Sequence, residues 1–318
     1  TINAFIILIY YSMILSWTIN YLKLSFTKGW GNDTNTFFYN SFLNTSNSPL
    51  EFGGIVWNIL IGIAFIWGIN WFICYKRKKK GIEKVNKVLL PTLVFIMIVI
   101  AIRSINLEGA VKGLNTLFTP DWSMMLKHEV WIAAYGQVFF SLSLAMGIMM
   151  TYSSYLPKDT DINNSAFITG FANCGFEFLS AIAVFSILGY MATAQGVEVS
   201  KVVSSGVGLA FIVFPQVFTT MGSIGTVLGV LFFLCLIFAG ITSSVSLIQA
   251  VSAPFEDKFG WDKKRVVTAL AILGFLISIV FATGAGLYLL DIIDNFINNF
   301  GIVVVGFLEV VLIGWIVT

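Results

Sequence analysis

Apolar residues run along this chain in long blocks separated by polar punctuation. A helix needs about 20 mostly apolar residues to cross a bilayer. Eight blocks reach that length: residues 3–26, 53–75, 84–106, 130–156, 165–192, 224–250, 265–284 and 289–317. The pattern predicts an all-α membrane protein with about eight spanning helices. One block differs from the rest. The stretch EVWIAAYGQVFFSLSLAMGIMMTYSSY, Glu129–Tyr155, carries Gly136, Ser141, Ser143 and Gly147 halfway along, with Phe139 and Phe140 between them. Backbone that leaves helical geometry at membrane depth is tolerated only where it lines a cavity or is buried in protein. A helix broken there offers carbonyls to cations and N–H groups to a carboxylate. A packing face is the competing reading, because small residues let helices approach closely.

The polar punctuation orients the blocks. KGWGNDTNTFFYNSFLNTSNSPLEFG, between the first two, reads as a solvated loop. Lys76, Arg77, Lys78, Lys79, Lys80, Lys84 and Lys87 fill the next gap. Loops on the cytoplasmic side carry the excess of Lys and Arg, which puts this gap inside and alternates the others. Lys158, Lys258, Lys263, Lys264 and Arg265 then also fall inside, and Lys23, Lys28, Arg103, Lys112, Lys127 and Lys201 lie on or toward the other side. The lysine run is read as this topogenic signal rather than as a lipid- or nucleic-acid-binding patch. The outside segment 193–223, with AQGVEVSKVV and GLAFIVFPQVFTTMG, is too long for a bare hairpin. It predicts a re-entrant or lid-like helical pair, or plain surface helices.

Composition agrees with a multi-pass membrane protein. Hydrophobic residues make up 58% and charged residues 11%, against about 25% charged in a soluble domain, and mean hydropathy is +0.90. The net charge of +2 says little about partners. Cys74, Cys174 and Cys235 lie in apolar segments without metal spacing or a disulfide framework. No nucleophile–base pair or metal-ligand cluster appears, so no covalent chemistry is expected. The chain starts at Thr1 directly in an apolar helix and ends in another, and it reads as an internal piece of a longer chain, treated as one transmembrane unit over residues 1–318.

Polar groups at membrane depth supply the candidate chemistry. Asn173 and Glu177 are four residues apart and share a helix face; an ionisable residue in a spanning helix is a functional candidate by default. Ala239, Thr242, Ser243 and Ser246 form a second stripe. Hydroxyl and carbonyl oxygens suit hard cations, and a stripe without a carboxylate points to a monovalent ion. Hydroxyls bonded back to their own helix are the alternative. Tyr10 and Tyr11 need hydrogen-bond partners. Asp291 and Asp294 sit near the outside end of the last block, and Glu309 further in is given no role.

Taken in order, IYYSMILSW, GIEKVNKVLLPTL, LFTPDW, VWIAAYGQVFFSLSLAMG, the Ala- and Thr-containing turn ending at Asn173, FAGITSSVSLIQ and LLDIIDNF resemble the neurotransmitter:sodium symporter family, in particular its bacterial amino-acid members. The resemblance covers nearly the whole chain and places it at the family's third through tenth helices, without the first two or those after the tenth. It implies the inverted-repeat, leucine-transporter-like fold. The implied function is sodium-coupled, chloride-independent uptake of a hydrophobic or aromatic L-amino acid by alternating access. The implied location is the cell membrane, of the bacterial inner-membrane kind. The partners are then the bilayer and a small amino acid, with no nucleic acid. Two other readings stay open: a symporter of the same fold for an amine or osmolyte, and a non-transporting membrane scaffold or sensor.

The resemblance also assigns residues. Two sodium ions are implied, each site lacking the ligands of the family's first helix. Ser141 and Asn173 belong to the first, and the Ala239 carbonyl with the Thr242 and Ser243 hydroxyls to the second. Tyr11 matches the tyrosine that bonds the substrate carboxylate, Phe140 the aromatic lid, and Ser143 the unwound stretch near the amine. Ile7, Met146 and Leu247 line the side-chain pocket, with Ser243 at its edge. Asp294 resembles the acidic half of an outer gate with Tyr11 and Phe140. Glu177, with neutral Gln137 as its partner, stands in for the chloride that serine-bearing members bind.

Overall fold

The computed structural model describes residues 1–316 apart from 77–78, 155, 158 and 203–205, with backbone alone at 79–86 and 89. Arg77, Lys78 and Lys158 of the charge assignment therefore lie outside the described residues. The described residues are helical, and a single isolated bridge, Ile55 to Thr283, is the one β contact among them. The first helix, α1 (Ile2–Ser25), is the hub. It is apolar on every side, as a helix enclosed by others must be, and its buried residues, from Ala4 through Met13 to Tyr21, face all round. It packs chiefly on α2 (Trp57–Lys76) and on α8 (Gly222–Phe259).

Between these lie α3 (Lys79–Ile105), α4 (Ala110–Phe118), α5 (His128–Ser141), α6 (Ile148–Ser153) and α7 (Ile162–Gln195). After α8 come α9 (Lys263–Ser278), α10 (Gly286–Phe296) and α11 (Ile302–Val311). The ends are set locally. Asp161 accepts the Asn164 N–H at 3.0 Å to start α7, and Gly196, at φ 67°, closes it in the left-handed cap that glycine takes without strain.

Among the described residues six helices are long and apolar enough to span, one of them running from α10 through α11, and a seventh candidate bends by 111° between Leu90–Ile105 and Ala110–Leu126. The eighth expected block, 130–156, is divided into α5 and α6 instead, neither long enough alone. The loop 27–56 differs from its solvated reading. Trp30, Phe38 and Phe42 are buried with Trp17, Tyr21, Phe211 and Phe233 in one aromatic cluster. Polar residues dominate that loop by number, but its large aromatic side chains Trp30, Phe38 and Phe42 are buried. Residues 209–220 are likewise packed inward, with Phe211, Phe214, Val217 and Phe218 buried and Phe211 stacked on Phe38 of that cluster. Residues 203–205 of the expected helical pair lie outside the described residues.

Polar groups inside the bundle are tied together. The Trp67 indole N–H lies 3.2 Å from Ser12 Oγ and 3.1 Å from Ser278 Oγ, and both serines donate to the Ile9 carbonyl, joining α1, α2 and α9. Ser244 Oγ donates to Asn70 Oδ1 at 2.8 Å between α8 and α2. Close backbone contact holds α4 to α7. A Cβ added at Gly113 would lie 1.7 Å from the Phe185 carbonyl oxygen, which belongs to helix backbone and has no room to yield. Overpacking of this kind costs roughly 1–3 kcal/mol or more. Gly113→Val is expected to lower the melting midpoint in detergent by about 5 °C or more. Gly68→Ala, where a Cβ meets nothing within 4 Å, should leave it in place. Equal midpoints for the two variants would contradict this packing.

Candidate functional site

The break between α5 and α6 builds the site. Ser143 has φ 56°, Ala145 φ 58° and Gly147 φ 78°. Left-handed backbone at a residue with a Cβ is disfavoured, and it persists only where the surroundings enforce it. Here the chain folds back on the end of α5. The Ser143 N–H donates to the Phe140 carbonyl at 3.0 Å and the Leu144 N–H to the Phe139 carbonyl at 2.8 Å, after which α6 restarts at Ile148. Of the four small or polar residues that marked this break, Gly136 has another use. It is buried within α5, where a Cβ would come 3.2 Å from the Asn298 carbonyl.

A cavity of about 410 Å³ opens at the break. Ile7 and Tyr11 reach it from α1; Phe140, Ser141, Leu142, Ser143 and Met146 from the end of α5 and the break; Ile148, Met149 and Tyr152 from α6. Thr169 and Asn173 come from α7, and Ser243, Ser246 and Leu247 from α8. All seven residues expected around a cargo molecule thus line one space, together with Ser141 and Asn173. The cavity residues that sequence reasoning left out are Leu142, Ile148, Met149, Tyr152 and Thr169; Ser246 was expected only in the hydroxyl stripe. Thr169 sits one helical turn before Asn173, and Ser246 ends the hydroxyl stripe, so both had a periodicity signal. The α6 residues had none, because their facing depends on the φ signs in the break.

Two groups of oxygens flank this space. On one side the Asn173 amide nitrogen donates to Ser141 Oγ at 3.1 Å and to Glu177 Oε1 at 3.0 Å, leaving the amide oxygen without a hydrogen bond among the described residues. The Glu177 carboxylate stands directly behind that amide and orients it. On the other side Thr242 Oγ1 and Ser243 Oγ both donate to the Ala239 carbonyl, at 2.7 and 3.1 Å. The stripe's hydroxyls are thus bonded back to their own helix, the alternative to a cation stripe; a hydroxyl that donates its one proton still keeps its lone pairs, so three oxygens gather within one helical turn. Ser243 also faces the Tyr11 hydroxyl, which joins this cluster to the cavity.

Two expected residues stand apart. Asp294 does not line the cavity. The Tyr10 hydroxyl donates to its Oδ1 at 2.8 Å and the Asn298 amide to its Oδ2 at 2.9 Å, which gives Tyr10 the partner it needed. Gln137 is exposed on α5, and among the described residues no hydrogen bond joins it to Glu177. The described residues include no cluster of three or more His, Cys, Asp or Glu side chains fit to hold a metal. The oxygens beside the cavity belong to carbonyl, hydroxyl and amide groups.

A sodium-dependent transporter of Methanocaldococcus jannaschii is 39% identical over 315 residues, covering 99% of this chain and 64% of its own length. The sodium- and chloride-dependent glycine transporter 1 of Xenopus laevis is 33% identical over 246 residues, 75% of this chain and 39% of its own. The chain thus spans less than two thirds of the curated relatives it matches. The crystal structure of MhsT in complex with L-phenylalanine superposes with a TM-score of 0.83 at 31% identity, over 98% of this chain and 70% of that one. The model of the sodium:neurotransmitter symporter family matches residues 30–318. This chain, a multi-pass membrane protein with the fold of MhsT, belongs to the sodium:neurotransmitter symporter family.

Proposed function

We propose that this chain forms the core of a sodium-coupled symporter that carries a hydrophobic or aromatic L-amino acid and needs no chloride. The observation that carries the reading is the cavity at the helix break. Its side-chain wall, Ile7, Phe140, Met146 and Leu247, is apolar, while oxygen groups stand at two of its edges. An apolar wall with no counter-charge makes burial of a charged side chain cost several kcal/mol. Unbranched Met146 adapts to bulky cargo. The L-phenylalanine bound by MhsT supports the cargo class, and the sodium dependence named for the archaeal relative supports the driving ion. In this reading Ser141 and Asn173 bind one sodium ion, and Ala239, Thr242 and Ser243 bind the other. Tyr11 and Ser143 hold the backbone groups of the cargo, and Phe140 closes over it. Asp294 belongs to the outer gate. Further ion ligands come from the family's first helix.

Competition against labelled leucine, in sodium-driven uptake by the full-length protein, tests the cargo class. Phenylalanine, tyrosine and tryptophan are expected to compete at least tenfold better than glutamate or lysine. Stronger competition by either charged amino acid would overturn the reading. If a quaternary amine competes and no amino acid does, the family's other cargo classes are favoured instead.

A further inference from the structure

We propose that Tyr152 is a specificity-determining residue, a hydrogen-bond acceptor that selects cargo whose side chain ends in an O–H or N–H. The inference rests on the amino-acid symport reading above and narrows its substrate class to tyrosine- and tryptophan-like side chains over phenylalanine. Tyr152 lies on α6, one turn past Ile148 and Met149, and it lines the cavity with both. Its hydroxyl is hydrogen-bonded to Ser246 Oγ across the gap to α8. Ser246 Oγ in turn donates to the Thr242 carbonyl at 2.9 Å.

Proton counting, with the Ser246 hydroxyl donating to the Thr242 carbonyl, sets the direction taken for this chain. A serine hydroxyl has one proton and two lone pairs. Ser246 gives its proton to Thr242, so the bond to Tyr152 is one in which Tyr152 donates. The phenol has then used its only proton, and its oxygen keeps accepting capacity. Among the described residues no donor reaches that oxygen. A cavity-lining acceptor without a donor costs desolvation when apolar cargo covers it, and it gains a bond when the cargo brings a donor. The apolar wall of Ile7, Met146 and Leu247 sets size and hydrophobicity, and Tyr152 adds a single polar contact that phenylalanine and leucine leave unfilled.

The test is competition by tyrosine, phenylalanine and 4-fluorophenylalanine in sodium-driven uptake of labelled phenylalanine. Wild-type full-length protein is compared with Tyr152→Phe and Ser246→Ala. The fluoro analogue fills the same end of the ring without a donor. In wild type, tyrosine is expected to compete about fivefold better than either of the others, the range of one net neutral hydrogen bond. In Tyr152→Phe the tyrosine-to-phenylalanine ratio should fall to about one. In Ser246→Ala the ratio should fall too, because the phenol then spins free of its fixed direction. A ratio unmoved by Tyr152→Phe, with tyrosine and phenylalanine weakening together, would assign the residue a structural role and overturn the inference while leaving symport intact. A fluoro analogue competing as well as tyrosine in wild type would overturn it as well. Phenylalanine uptake that is absent or indifferent to sodium overturns the symport reading itself, and the inference with it.

Discussion

Uptake by the full-length protein in chloride-free gluconate buffer is expected to equal uptake in chloride, and Glu177→Ser is expected to make it depend on chloride. The reason is the position of the Glu177 carboxylate. It accepts the Asn173 amide N–H at 3.0 Å, and the opposite end of that amide is the oxygen proposed to bind sodium. An ion on that oxygen lies roughly 6 Å from the carboxylate. With an effective dielectric of about 20, a pair of opposite charges at that range interacts by about 3 kcal/mol. A serine removes that charge and leaves a small polar space in which an anion can take its place. The Xenopus laevis relative is named as chloride-dependent, so the contrast has a counterpart in the family. Glu177→Ser uptake should fall about tenfold or more in gluconate and recover with chloride. Loss of wild-type uptake without chloride would refute the role given to Glu177. So would a Glu177→Ser variant that ignores chloride.

Thr242→Val is expected to raise the sodium concentration for half-maximal uptake by about tenfold, and Thr242→Ser to restore it. Valine keeps the shape of threonine and deletes the hydroxyl. In the structure that hydroxyl donates to the Ala239 carbonyl at 2.7 Å, so both proposed ligands sit within one turn of α8 before any ion arrives. Deleting it removes one oxygen and leaves the Ala239 carbonyl with Ser243 alone. Sodium must shed water to enter, and a lost ligand of this kind costs on the order of 1–2 kcal/mol, a factor of roughly ten per 1.4 kcal/mol. An unchanged half-saturation in Thr242→Val would move the second ion elsewhere. A defect that serine fails to rescue would point to packing and not to the hydroxyl.

Much of this architecture is written in the one-dimensional pattern, because membrane spans are a matter of length and apolarity. The helix break was legible from Ser141, Ser143 and Gly147, which are out of place in an apolar helix. Its extent was not. Gly136 carries the same signal and serves packing instead, and two of the three left-handed positions fall on Ser143 and Ala145, whose Cβ gives no warning of that conformation. For that reason Ile148, Met149 and Tyr152 could not be assigned to the cavity from sequence. Periodicity served better on unbroken helices, where Asn173 and Glu177 do share a face and are hydrogen-bonded. The outer loop misled through its composition. A run rich in Asn, Ser and Thr looks solvated, yet Trp30, Phe38 and Phe42 decide where it goes. Tyr10 and Asp294 show a limit of another sort, since they lie 284 positions apart and pair only once α1 and α10 are packed.

Sodium is proposed to be coupled to amino-acid movement at the break between α5 and α6. The most direct test of that coupling is accumulation of labelled L-phenylalanine by the full-length protein in sealed liposomes, with sodium outside and potassium inside, against potassium on both sides. Uphill accumulation is expected with the sodium gradient, and it should collapse when a sodium ionophore dissipates that gradient. Equal phenylalanine levels with and without the gradient would contradict the coupling.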